Sequence, residues 1–191
     1  MKDRFFYPLF VLVLIGIVAL ALWPGLNNPG GRPRDIVTDG YLLSGSRLQS
    51  LTAAPGTFVR FTGGEVEKPL LAVLSSNNPR VLAGPSAGVF GTLGPNYEQV
   101  FGGRTLEITI TARAGSTDPL DEFSAGYFTV GAGDSGWRKF TLTEEFADYT
   151  FTFTTRAPQG QPGNDYVGIW PGEEGKNDTM ELKSIRVKLA D

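Results

Sequence analysis

The side chains that most often carry out chemistry are missing from this chain. Among its 191 residues there is no cysteine and no histidine. A zinc site built on those ligands, a cysteine nucleophile and a Ser-His-Asp triad are therefore excluded, and no disulfide can form. Carboxylates remain: Asp118, Asp121 and Glu122 in one loop, Glu144-Glu145 in another, Glu173-Glu174 in a third. Glycoside hydrolysis needs two carboxyl groups facing each other across a cleft. Neighbours within one turn do not supply that, and solvated loop charges account for them. We expect no catalytic residue, no metal and no cofactor.

Aromatic rings beside amides and carboxylates are the second chemistry on offer. Trp170 and Tyr166 share a parity opposite to Val167 and Ile169, between Asn164-Asp165 and Pro171-Gly172. A ring covering the apolar face of a sugar, with polar groups bonding its hydroxyls, is what such residue types suit. Asn164, Asp165, Tyr166 and Trp170 thus form the candidate ligand-binding rim. Trp137, opposite in parity to Phe140 and Leu142, and Tyr97, in Gly94-Pro95-Asn96-Tyr97, are further members. Each also has a packing reading. The rim would be a hydrophobic lid over one end of the fold, Trp137 a cap on its core, and Tyr97 a ring tucked under its own turn.

The elements that must position these residues read as strands. From Thr105 to Arg113, Leu106, Ile108, Ile110 and Ala112 point one way, and Glu107 and Thr109 point the other. Tyr149 to Thr155 repeats the pattern with Tyr149, Phe151 and Phe153. Shorter runs surround Tyr41 to Leu43, Thr57 to Thr62, Leu70 to Leu74, Tyr127 to Val130, Phe140 to Leu142 and Val167 to Ile169. In Met180 to Leu189 the apolar parity switches from Met180 and Leu182 to Ile185, Val187 and Leu189. One extra residue near Lys183-Ser184, a β-bulge, restores the inward face. Gly63-Gly64, Gly102-Gly103 and Gly131 to Gly133 are turn material. Eight or nine strands, with no helix of any length, predict an all-β sandwich of two antiparallel sheets over residues 35–191.

Ahead of that domain, residues 5–23 (FFYPLFVLVLIGIVALALW) carry no charge. About 19 apolar residues reach roughly 28 Å as a helix, close to the hydrocarbon thickness of a bilayer. This predicts one N-terminal transmembrane helix after a cytoplasmic leader, residues 1–4, with the body exported. A cleaved signal peptide is the alternative, because Ala19-Leu20-Ala21 reads as a cleavage triplet. Residues 24–34, with Pro24-Gly25 and Asn27 to Pro33, form a Pro/Gly linker. The net charge is −3, and setting aside the leader's net +1 leaves −4 for the rest. That mild acidity argues against nucleic acid as a partner.

In the C-terminal half, Leu106 to Arg113 (LEITITAR), Gly136 to Phe140 (GWRKF), Phe146 to Phe151 (FADYTF), Asp165 to Ile169 (DYVGI) and the bulged strand at Met180 to Ile185 follow in order. This ordered spacing resembles that of the galactose-binding-like jelly rolls that include carbohydrate-binding modules. It implies a jelly-roll fold and a glycan ligand. Many relatives hold a structural calcium with an acidic residue at the bulge. Here the matching position is Lys183, which puts such a site in doubt.

Together these readings predict a membrane-tethered, non-catalytic β-sandwich of the periplasm or cell exterior that binds a glycan or envelope polysaccharide. The alternative is a structural or accessory subunit that docks on a membrane or envelope protein complex. A carboxylate-based glycan-active enzyme comes third.

Overall fold

The computed structural model describes residues 10–14, 16–17, 33–65, 68–130, 133–158 and 160–190. Two compact units divide the chain at Gly31 and Arg32. In the first, the described residues 10–14 and 16–17 are helical, and the remainder of the expected span 5–23 lies outside the described residues. No described helix is long and apolar enough to cross a membrane.

The second unit holds twelve described strands. They are β1 (Tyr41–Ser44), β2 (Thr52–Ala53), β3 (Thr57–Thr62), β4 (Leu71–Ser76), β5 (Val89–Leu93), β6 (Thr105–Ala114), β7 (Glu122–Thr129), β8 (Gly133–Asp134), β9 (Arg138–Thr141), β10 (Ala147–Thr154), β11 (Asp165–Pro171) and β12 (Thr179–Leu189). One sheet runs β10-β6-β12-β4-β3 with β1 also on β12; the other runs β2-β5-β11-β7-β8 with β9 also on β7. Every strand pairing is antiparallel.

Alternation decides which face each strand buries. Leu106, Ile108, Ile110 and Ala112 of β6 are fully buried against Val89, Ala125, Val167 and Ile169 and their neighbours in one core. The register of β12 against β6 shifts between Leu182 and Ser184. That bulge turns Met180, Leu182, Ile185 and Val187 all to the core despite their mixed parity. Lys183, left outside the ladder, sets its ammonium 5.5 Å from the Phe146 ring.

The expectation of no helix needs correction. Among the described residues of the second unit there are two seven-residue α-helices, α1 (Pro33–Asp39) and α2 (Pro95–Phe101). The first takes up Pro33 and Arg34 of the expected linker. Proline in the first turn loses only an N–H that has no helical partner, which lets both segments start a helix. Strand β5 is a further addition to the expected set. Its sequence, VFGTL, places Val89, Gly91 and Leu93 inward around a central glycine.

Candidate functional site

The outer face of the second sheet carries Phe90, Phe128, Tyr166 and Trp170. Cross-strand register lines them up in rows. Thr92, Tyr166, Phe128 and Asp134 form one row. Phe90, Gly168 and Gly126 form the next, and Trp170, Ser124 and Lys139 the third. The two facing glycines make the middle row a trough. A Cβ on Gly168 would stand 3.1 Å from both Phe128 and Trp137 ring atoms, and one on Gly126 would meet Phe128 at 2.9 Å. The rings of Phe128 and Trp137 occupy that space, with centroids 5.1 Å apart.

Beside them opens a cleft of about 660 Å³, lined by Phe90, Phe128, Tyr166 and Val130 with Pro85, Ser86, Thr129 and Asp134. Phe90 and Tyr166 meet edge to face at 5.5 Å on its floor. Both are only half-buried, so ring surface is open to a ligand. An apolar wall with a few polar groups at its margin is the usual composition of a small-molecule site.

The third row is closed. Residues 79–88 fold across it, and the Arg80 guanidinium lies 4.7 Å from the Trp137 ring centroid and 5.3 Å from that of Trp170. Arg80 also donates to the carbonyls of Gly84 and Pro85, at 3.1 and 2.8 Å. The indole N–H of Trp137 donates to Pro85 at 2.7 Å. Trp170 is 0% exposed. Its Nε1 and the Arg80 Nε have no hydrogen-bond partner among the described residues.

The expected rim residues therefore separate. Tyr166 stands in the cleft, and Asn164 is exposed just ahead of β11. Asp165 points the other way, into the sandwich, and is 0% exposed. It accepts a 2.5 Å hydrogen bond from the Tyr127 hydroxyl, while the nearby buried Glu98 accepts from the Gly163 N–H. Burial, opposed by the Tyr127 hydrogen bond and reinforced by Glu98, lifts Asp165 to a pKa of about 6. Burial and the Asp165 charge raise that of Tyr127. Trp137 borders the cleft through Phe128, but its N–H is already used. Tyr97 sits on α2 against Tyr41 and Phe101, at 5.4 and 5.7 Å, and packs that helix on the core. Sequence reasoning missed Phe90, Phe128 and Arg80. The first two show as residues of opposite parity to Val89 and Tyr127; Arg80 has no local signal.

Two of the three carboxylate loops also meet. Asp121, Glu122, Glu173 and Glu174 line a second cleft, of about 470 Å³, with Lys139 and Lys176. Glu122 pairs with Lys139 at 3.4 Å, Glu174 with Lys176, and Glu173 accepts from Ser124 at 2.8 Å. The hydrogen bond and charge of Lys176 hold Glu174 below the usual carboxylate range.

Two antiparallel sheets closed on one core, with a bulged strand β12 and an aromatic trough on one outer face, define a jelly-roll β-sandwich. The fold is similar to that of the CBM22-1 xylan-binding domain of Paenibacillus barcinonensis Xyn10C, at 13% identity and a TM-score of 0.53, over 78% of this chain and 92% of that one. It is similar also to the C-terminal family 22 carbohydrate-binding module of Clostridium thermocellum Xyn10B, at 15% identity and 0.51, over 80% and 93%. The likeness extends past the C-terminal half. No protein-family model matches the sequence, and no curated protein matches it.

Proposed function

We propose that this protein is a non-catalytic glycan-binding module, held at the membrane by residues 5–23 and exposed outside the cytoplasm. The observation that carries this reading is the open Phe90–Tyr166 pair, on the floor of a cleft with Asp134 and Ser86 at its margin. A saccharide ring stacks on those faces, and its hydroxyls bond the polar margin. The structural relatives named above are described as xylan-binding or carbohydrate-binding modules, which makes a β-linked plant or envelope polysaccharide the ligand to try first.

The non-catalytic part is supported by where the acids lie. A glycosidase acid needs a raised pKa and access to substrate. Asp165 has the raised value but is sealed inside the sandwich, whereas Glu174 in the acidic cleft is held low by Lys176.

Affinity electrophoresis through gels containing xylan, β-glucans or peptidoglycan fragments tests the reading. The protein is expected to be retarded in at least one gel, and Tyr166→Ala or Phe90→Ala to lose about tenfold or more in affinity, the size of one lost stacking contact. Equal mobility across the panel overturns it. One observation favours the accessory-subunit reading. Val81 and Leu82, at the tip of the 79–88 segment, are 86% and 76% exposed, an apolar tip suited to a protein surface.

A further inference from the structure

The opposite face of the sandwich carries a second groove, of about 920 Å³, running along β3. Register sets its floor. Phe58, Ser75 and Thr179 form one row, and Arg60, Val73, Glu181 and Arg113 the next. Within these rows the charges are unequally used. Glu181 is bonded by Arg113 at 2.7 Å and by Ser116 at 3.0 Å. Burial works against its charge, but those bonds outweigh it and keep its pKa low. Arg60, across Val73 from that closed pair, is exposed and makes no ion pair among the described residues.

Asp118 and Asn177 stand above this floor. Both hold left-handed backbone, at φ 48° and 66°, which costs a side-chain-bearing residue free energy but is tolerated best by Asp and Asn. Backbone bonds lock the two segments in place: Thr179 N–H to Asp118 at 2.7 Å and Asn177 N–H to Ser76 at 2.8 Å. No hydrogen bond is found to the side chain of either residue among the described residues. On the facing strand, the Phe58 ring is 46% exposed. A half-open ring, a carboxylate and an amide on fixed backbone, and an exposed guanidinium therefore border one groove. The ring suits the apolar face of a sugar, and the polar groups suit its hydroxyls, both as acceptors and donors.

We infer that this groove is a second saccharide site, with a sugar ring stacked on Phe58 and its hydroxyls bonded by Asp118, Asn177 and Arg60. It rests on the reading of the domain as a saccharide binder but not on the cleft at Tyr166. The two sites lie on opposite outer faces, so one domain would join two glycan segments.

The test is a titration of the ¹⁵N-labelled full-length protein in detergent micelles with xylohexaose, followed by amide chemical shifts. Two independent sets of shifting amides are expected, one around Tyr166 and one around Phe58 and Asn177. Phe58→Ala and Asp118→Asn, which keeps a residue suited to left-handed backbone, should each weaken the second set by about tenfold and leave the first unchanged. Tyr166→Ala should do the reverse. Shifts confined to the Tyr166 set overturn the second site and leave the proposed function standing. Shifts confined to the Phe58 set support it and remove the main cleft. No shift anywhere overturns the second site, and the gel panel decides the proposed function.

Discussion

At the scale of single residues, neighbours in sequence take opposite roles on β11. Tyr166 faces the cleft, Asp165 faces the core and Trp170 lies under Arg80. Asp165 gives a pH signature. Its folded pKa of about 6 lies above the usual value of 3.8, so between these values the folded state holds a proton the unfolded chain has released. Its contribution to stability is then full below pH 3.8 and declines as pH rises towards 6. Asp165→Asn is expected to flatten the melting-temperature slope across pH 4 to 6; an unchanged slope would show the proton is not held there. Trp170 is a matter of stability. With its ring fully buried and stacked on a guanidinium, Trp170→Ala should cost about 3–5 kcal/mol in denaturant unfolding. Glycan affinity of the folded fraction should hold, and a stable variant with lost affinity would show that the ring meets ligand directly.

At the scale of elements, the strands were readable because each has one wet face and one dry face. The alternation in Thr105 to Arg113 and the parity switch at Lys183 both reappear in the pairing of β6 with β12. Strand β5 was not readable, since Gly91 interrupts its inward apolar row and leaves only Val89 and Leu93 to mark it. The glycines read as turn material were only part of the set. Gly126 and Gly168 lie inside strands and make the trough that seats Phe128 and Trp137, a role that needs both strands to be known. Arg80 ties the 79–88 segment together through the Gly84 and Pro85 carbonyls and stacks it on the rings of Trp137 and Trp170, beside the bonds from Arg80 N–H to Glu173 and from the Trp137 indole to Pro85. Each guanidinium–ring contact is worth roughly 0.5–2 kcal/mol. Arg80→Ala should speed amide hydrogen exchange across residues 79–88 by tenfold or so and shift Trp fluorescence to the red. Unchanged exchange would mean that other contacts hold the segment.

At the scale of the whole molecule, the sandwich has its own core and contains every residue of both proposed sites. Residues 32–191 expressed alone should unfold in one cooperative transition and keep the glycan affinity of the full chain. If residues 5–23 tether the protein, the full chain should sediment with membranes and the shortened one should not. Equal solubility of the two would remove the tether while leaving the binding module in place.

The sequence by itself determined an all-β architecture, the strands with clear alternation, the bulge in the last strand, and the outward parity of Tyr166, Trp170 and Trp137. These follow from a period of two, which is local and needs no partner. It also removed thiol and imidazole chemistry outright, because those side chains are absent. Only the tertiary structure decided which outward ring stays open. Parity assigns a residue to a face, but what lies over that face comes from distant chain: Pro85, 52 residues before Trp137, takes its N–H. Arg80, from the same segment, covers Trp170, while Tyr166 and Phe90 are left to meet solvent.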